Sequence, residues 1–497
     1  MLVGNQMPGP TVGRRVRPKR PLWPALLAGA AVLLIGTFFI QPRTGSAIPY
    51  STEEVYAQPA KGAAGPNILL ICIDAMRPDH TSLYGYARDT TPRIKAVFGE
   101  AAVYERAYAP SALTPPSVIG MLSGQYPQNH GVRWLGQQLP DTTILISDPL
   151  RRAGYQTAAV VSNVVLSASA CGLASRFDHF DAQVDAPPDG YERDARRTTD
   201  AAVHWLHSIR TPQQSHLLYV HYADPNAPYE PPADGPADFT HERPLPSELA
   251  DRGGKPEGVV DVLEQVDAYD EEIAFVDQEV GRLLDEYRTL GLLDAALVVL
   301  CADHGESLME HDQGFGHGAG VYEETIRVPL AIRHKSLKPA RISTPVSLVD
   351  LAPTLLQAAG LRTPSGMDGR SLLTPGPSRA IFAEAGDRYL PDPTAARNGP
   401  WRRCVILGDR KIVASSTPEG ALGQPQAFEL RTDAKELNPL PVADNDPLWR
   451  ILADLAAADP GPNGRTSVAR SDLPGPGTAP PDDPAAIERL RTLEFIR

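Results

Sequence analysis

Two carboxylates, a histidine pair and a threonine carry most of the chemistry this chain can offer. The stretch LVVLCADHGESLMEHDQGFGHG (297–318) opens with an apolar run, Leu297 to Cys301, and stops at Asp303-His304. A second apolar run, Ile68 to Ile73, stops in the same way at Asp74. A carboxylate is a hard oxygen donor and an imidazole a borderline nitrogen donor, so Asp-His is half of a site for zinc, manganese or iron. His311 and His317 follow in a glycine-rich loop whose backbone can close over a small anion. Thr114 opens the segment TPPSVIGML. A hydroxyl there either caps a helix or serves as a nucleophile whose proton is removed with the help of a bound cation.

The elements that must position these groups follow from the apolar pattern. Short unbroken runs rich in Ile, Leu and Val read as buried parallel strands. In an open α/β sheet, ligands sit beyond the carboxyl ends of such strands. Asp74 and Asp303 are therefore both expected at the carboxyl ends of strands, with Thr114 at the start of a helix. Thr90-Thr91-Pro92 reads as the cap of a helix running to about Phe98, and Asp350 and Asp368 read as caps of later helices.

Net charge is −13, and the first twenty residues alone hold five basic groups and no acid, so the rest is more acidic still. That balance argues against nucleic-acid binding. Pro21 to Ile40 lacks any charge, is long enough to span a bilayer, and lies between a basic flank and Arg43. It predicts a single-pass membrane anchor with a cytoplasmic N-terminus and an extracytoplasmic body, periplasmic or extracellular. A cleaved signal peptide, with Gly45-Ser46-Ala47 as the processing site, is the alternative. Cys72 and Cys301 fall in core strands, and an exported location permits a Cys171–Cys404 disulfide.

Further segments stand in a fixed order along the chain. They are PNILLICIDAMRPDH (66–80), TPPS (114–117) with LSGQYPQNHGV (122–132), AGYQTAAVVSN (153–163), YVHYADPNAPYEPP (219–232), YDEEIAFVDQEVGRLLDE (269–286), ADHGESLMEH (302–311), RVPLAIR (327–333), SLVDLAPTLLQAAGL (347–361) and GMDGRSLL (366–373). In this combination the chain resembles the sulfatase family of the alkaline phosphatase superfamily. ERLRTLEFIR (488–497) is similar to the last helix of membrane-anchored bacterial members. The resemblance implies an α/β fold, a mostly parallel sheet sandwiched by helices, with a smaller C-terminal α+β subdomain. Six parts are expected: a basic cytoplasmic segment (1–20), an anchor (21–40), a linker (41–65), a catalytic domain (66–375), a C-terminal subdomain (376–460) with a hairpin about Gly408-Asp409, and a Pro-rich segment with a terminal helix (461–497).

The chain departs from the family at the nucleophile. Sulfatases oxidise the Cys or Ser of C/S-x-P-x-R to formylglycine. Here Thr114 holds that position, Pro116 is in register, and Val118 replaces the arginine. The methyl on the threonine Cβ bars oxidation to an aldehyde. Relatives that move phosphoethanolamine or glycerol phosphate use an unmodified threonine. Ala75 replaces a second aspartate, Asn226 replaces a histidine of D-P-H-x-P-Y, the Gly-Lys-Trp-His element is missing after Gly154-Tyr155, and His304 stands where many sulfatases have Asn.

By that resemblance Asp74, Thr114, Asp303 and His304 would bind a divalent metal ion. Zinc or manganese suits a set containing imidazole, while calcium and magnesium stay open. Thr114 would be the nucleophile. His317, with His311 and Asn226, would contact the transferred group, and Glu306 would anchor His304. His221, inside an apolar strand, reads as a satisfied core histidine, His130 as the holder of its turn, and Arg77 as a salt-bridge former. The function expected is hydrolysis or transfer of an anionic phosphate or sulfate ester. Two alternatives stand beside it: a sulfuric ester hydrolase proper, and a catalytically silent envelope binding protein.

Overall fold

The computed structural model describes residues 65–184, 192–209, 214–239, 256–374, 376–386, 401–416 and 422–458. The expected anchor (21–40), linker, terminal helix and Pro-rich segment lie outside the described residues. Among those described, no helix is long and apolar enough to cross a membrane.

In chain order the large sheet is built from β1 (Ile68–Ile73), β2 (Ala102–Tyr108), β3 (Gln156–Val161), β4 (His179–Asp181), β5 (His216–Tyr222), β6 (Leu297–Cys301), β7 (Arg327–Arg333), β8 (Ala340–Ile342) and β9 (Val346–Ser347). Their spatial order is β8-β2-β7-β6-β1-β5-β3-β4, with β9 also on β2. Pairings are parallel except where β7 meets β2 and β6. β1 lies between β5 and β6, and all three are wholly buried. Burial on both faces explains why their sequences run apolar without alternation.

Two groups of helices flank the sheet. One joins α1 (Pro92–Phe98), α3 (Ala195–Ser208) and α4 (Pro256–Thr289); the other joins α2 (Thr114–Ser123) and α5 (Leu351–Ala358). Thr91 stands at the α1 N-cap, yet its side chain makes no capping bond. Asp277 of α4 caps the helix instead, accepting from Arg93 N (2.9 Å) and Ile94 N (2.7 Å). Ser347 and Asp350 form a reciprocal capping box before α5, as expected of Asp350. Asp368 departs from its expected role. No helix starts over residues 369–374, and Asp368 accepts from Tyr126 N and Asn129 Nδ2, both at 2.8 Å, so it braces the turn after α2. The His130 turn is held by Val132 N donating to His130 Nδ1 (3.1 Å).

A second, antiparallel sheet follows: β10 (Ile381–Ala385), β11 (Trp401–Leu407), β12 (Arg410–Ser416), β13 (Gln426–Glu429) and β14 (Leu440–Pro441), in sequential order. The expected hairpin turns at Gly408-Asp409, and Gly408 takes φ +58°, a left-handed value that costs glycine little. Alternation here is of period two. Cys404, Ile406, Val413 and Phe428 face Tyr108, Val321 and Ile326 of the large domain. Val405, Ile412 and Ala427 face Leu448 and Leu452 of α6 (Pro447–Ala458). Cys171 and Cys404 are both free and buried in different cores, so the disulfide does not form.

Candidate active site

β1 and β6 pair in register, Cys72 opposite Cys301, so Asp74 and Asp303 leave the sheet side by side. Ala75 then turns the chain at φ +55°, an uncommon conformation for a residue with a Cβ. Tyr269 holds the turn by donating to the Ala75 carbonyl (2.8 Å) and accepting from Arg77 N (3.0 Å). On the other strand, Gly305 lies so close to the backbone that a Cβ would sit 2.1 Å from the Glu324 carbonyl oxygen. Only glycine lets His304 follow Asp303 directly into the site.

Asp74, Asp303 and His304 are fully buried and offer ligand atoms all within 4.8 Å of one another. His304 Nε2 lies 3.3 Å from Asp74 Oδ1 and 3.5 Å from Asp303 Oδ2. Its Nδ1 is 2.9 Å from the Gly305 carbonyl, which can only accept. The proton is therefore on Nδ1, and Nε2 turns its lone pair inward. Burial and the neighbouring His317 push the His304 pKa down to about 4, against the pull of Asp303.

The two carboxylates respond in opposite senses. Burial and the facing charge of Asp303 raise the Asp74 carboxyl well above the carboxylate range. Burial works against Asp303 as well, but His304 and His221 outweigh it and hold that carboxyl low. Two buried acids this close cannot both ionise without a cation between them. Among the described residues, Asp303 Oδ2 has no hydrogen-bond partner. Two carboxylates, an inward lone pair and an orphaned oxygen fit a divalent ion, and the imidazole favours zinc or manganese over calcium.

Thr114 is the first residue of α2 and is buried. It does not cap the helix. Its Oγ1 instead lies 3.0 Å from His304 Nε2 and 3.5 Å from Asp74 Oδ1. The helix is seated by Ser117 Oγ, which donates to the Asp303 carbonyl at 2.5 Å. His317 packs its ring 4.2 Å, centroid to centroid, from His304.

Glu306 bonds His317 Nδ1 (3.2 Å) rather than His304, a correction with a simple cause. His304 is anchored by its own neighbouring carbonyl, while a short ribbon, Ser307–Leu308 with Phe315–Gly316, folds His317 back onto Glu306. Asn226, just past β5, is buried, and neither amide atom has a hydrogen-bond partner among the described residues.

His311 is brought elsewhere. Its Nδ1 is 2.7 Å from Glu324 and its ring stacks on Tyr322 at 3.9 Å. Arg77 makes ion pairs of 2.8 Å with Asp79 and with Glu310, which ties the loop after β1 to the loop after β6. His221 is not a satisfied core residue: it is wholly buried and neither ring nitrogen has a hydrogen bond among the described residues.

Asn163 was not singled out as a site residue. Its Nδ2 donates to Asp74 Oδ2 at 2.7 Å while its Oδ1 accepts from Val165 N at 3.1 Å. Its position just after the β3 run AAVV was the available signal, because a polar residue at a strand end faces the same crevice.

A mostly parallel sheet that gathers two strand-end carboxylates, an imidazole and a helix-start hydroxyl at one point defines an ester-cleaving enzyme of the alkaline phosphatase superfamily. The chain belongs to the sulfatase family, whose profile matches residues 66–361. It is 23% identical over 429 residues to the uncharacterized sulfatase YidJ of Escherichia coli, covering 76% of this chain and 83% of that one. It is 24% identical over 442 residues to choline-sulfatase of Rhizobium meliloti, covering 76% and 82%.

Among solved structures, the fold is shared with a protein bound to its substrate D-glucosamine-2-N,6-O-disulfate, at TM-score 0.63 and 21% identity, covering 81% of this chain and all of that one. It is shared too with the phosphonate monoester hydrolase of Silicibacter pomeroyi, at TM-score 0.59 and 22% identity, covering 79% and 94%.

Proposed function

We propose that this enzyme cleaves or transfers phosphate or sulfate esters through Thr114, with a divalent ion held by Asp74, Asp303 and His304. The observation that carries the reading is the buried Thr114 Oγ1, 3.0 Å from the inward lone pair of His304 and unused as a helix cap. When bound, a divalent ion supplies positive charge that lowers the hydroxyl pKa and neutralises a substrate oxygen.

Thr114 Oγ then forms a bond to phosphorus or sulfur as the bond to the ester oxygen breaks. The leaving alcohol departs with the proton that the threonine gives up. Water or an acceptor alcohol next takes the group from Thr114 and restores the hydroxyl. His317, held at Nδ1 by Glu306, stabilises charge on the remaining oxygens, with Asn226 as a second contact. The anchor expected at residues 21–40 would hold this chemistry outside the cytoplasm, at the membrane surface.

Sulfate as the natural ester is the second reading. The family assignment and the sulfatases among the relatives favour it. The branched Cβ of Thr114 opposes the aldehyde route, and a phosphonate monoester hydrolase among the fold neighbours keeps phosphorus in play.

The test is intact-mass spectrometry of the full chain after brief incubation with an aryl phosphodiester or an aryl sulfate, beside Thr114→Ala. A phosphoryl or sulfuryl adduct on Thr114, absent from the variant, is expected, and the productive ester names the element. Turnover undiminished in Thr114→Ala would overturn the nucleophile.

A further inference from the structure

β5, β1 and β6 are consecutive in the sheet, and His221, Cys72 and Cys301 share one register across them. Side chains at one register of neighbouring parallel strands point to the same face, and so do residues two further on. The row His221–Cys72–Cys301 therefore lies one layer beneath Asp74 and Asp303. We infer that Cys72, His221 and Asp303 form a second cation site of soft character, joined to the first through the Asp303 carboxylate. The inference rests on the reading of Asp303 as a ligand of the first site.

Four observations support it. Ligand atoms of Cys72, His221 and Asp303 all lie within 4.8 Å of one another. All three side chains are wholly buried. Neither ring nitrogen of His221 has a hydrogen bond among the described residues, although a buried imidazole normally satisfies at least one. Asp303 Oδ2, itself without a partner, stands 3.5 Å from His304 Nε2 and 3.8 Å from His221 Nε2.

The simpler reading makes His221 a hydrogen-bonded support for Asp303, but 3.8 Å is too long for that bond. Thiolate, imidazole and carboxylate together suit zinc or cadmium, and sulfur offers nothing to calcium or magnesium. Cys301 is the built-in contrast. It sits next in the row, yet its Sγ is turned to Met121 Sδ at 3.5 Å and it lies outside the donor group.

The experiment strips the full chain with a chelator and titrates it with cadmium. Bound ion is followed by equilibrium dialysis and the thiolate-to-cadmium charge-transfer band by ultraviolet absorbance. Two ions per chain and the band are expected. Cys72→Ser should lose the band and one ion, His221→Phe should lose one ion, and Cys301→Ser should keep both. One ion with no band in the unaltered protein overturns the inference and leaves the first site standing. No bound ion overturns both. A band that survives Cys72→Ser but not Cys301→Ser also overturns it. The unaltered protein decides the matter even if a variant fails to fold.

Discussion

Two charged clusters, one joining α4 to the loop after β1 and one at the ends of β1 and β6, differ in one respect. Around Asp270, every charge meets a partner. Its Oδ1 is 2.7 Å from His80 Nδ1, and its Oδ2 accepts from Arg88 and Tyr86, both at 2.7 Å, while Arg88 also reaches Asp267 at 2.5 Å. Around Asp303, two acids face each other, His304 turns a lone pair inward, and Oδ2 meets no donor among the described residues. The first cluster is complete in itself and holds α4 to the loop after β1. The second lacks a counter-charge that a cation would supply, as the proposed metal site requires.

The sharpest test of that contrast is Asp74→Asn. It should cut kcat/KM by about 10³-fold, ~4 kcal/mol of lost charge stabilisation. In metal-free protein it should raise Tm at neutral pH. The folded Asp74 carboxyl is raised by burial and by Asp303, so its ionised form costs stability above the ordinary carboxylate pKa, and the amide removes that cost. A lower metal-free Tm would place Asp74 with the supports.

Asp270→Ala should do the opposite. It leaves His80 and Tyr86 without their acceptor and the half-buried Arg88 with Asp267 alone, which is expected to cost about 1–3 kcal/mol in chemical denaturation. Activity per folded molecule should change little, and a large loss of kcat with unchanged stability would erase the distinction. Chelation ranks next. A divalent ion at a hundred times its Kd adds about 2.7 kcal/mol to folding. Chelator should therefore lower the Tm of the unaltered protein by more than that of Asp74→Asn, which keeps the donors of the Cys72–His221–Asp303 group. Equal shifts in the two would mean that the ion sits elsewhere.

What could be read from the chain alone follows the same division. Asp74 and Asp303 were legible because each ends an unbroken apolar run, and His304 because it is next to Asp303. Their grouping with Thr114 came from the family resemblance, because the residues alone left that hydroxyl as either a helix cap or a nucleophile. The misreadings concern partners chosen by strand order and loop path, which hydrophobic period does not encode. Asn163 reaches Asp74 because β3 lies two strands from β1, and Asp277 caps α1 from a helix nearly two hundred residues away. Glu306 turns to His317 because a two-residue ribbon reverses the chain. His221 looked like ordinary core, and only the register that sets it beside Cys72 and near Asp303 reveals unmet nitrogens.

His311 offers the smallest effect and a check on which region it serves. Its Nδ1 is 2.7 Å from the Glu324 carboxylate and its Nε2 is 3.3 Å from the Glu436 carbonyl. Both partners are acceptors, so the protonated ring, with a donor at each nitrogen, is the form this setting favours. Burial opposes that charge, but Glu324 and Glu436 outweigh it and raise the pKa above its ordinary value. A histidine whose pKa is raised by folding stabilises most below its unfolded value of about 6.5, and this contribution fades as pH climbs through the folded value. His311→Gln should therefore lose up to about 1 kcal/mol at pH 6 and progressively less above neutrality, read as the difference in denaturation midpoints. Its kcat should stay close to that of the unaltered enzyme, because the residue clasps the Glu324 and Glu436 segments together. A loss of kcat that does not track this pH-dependent stability would return His311 to the reacting ester.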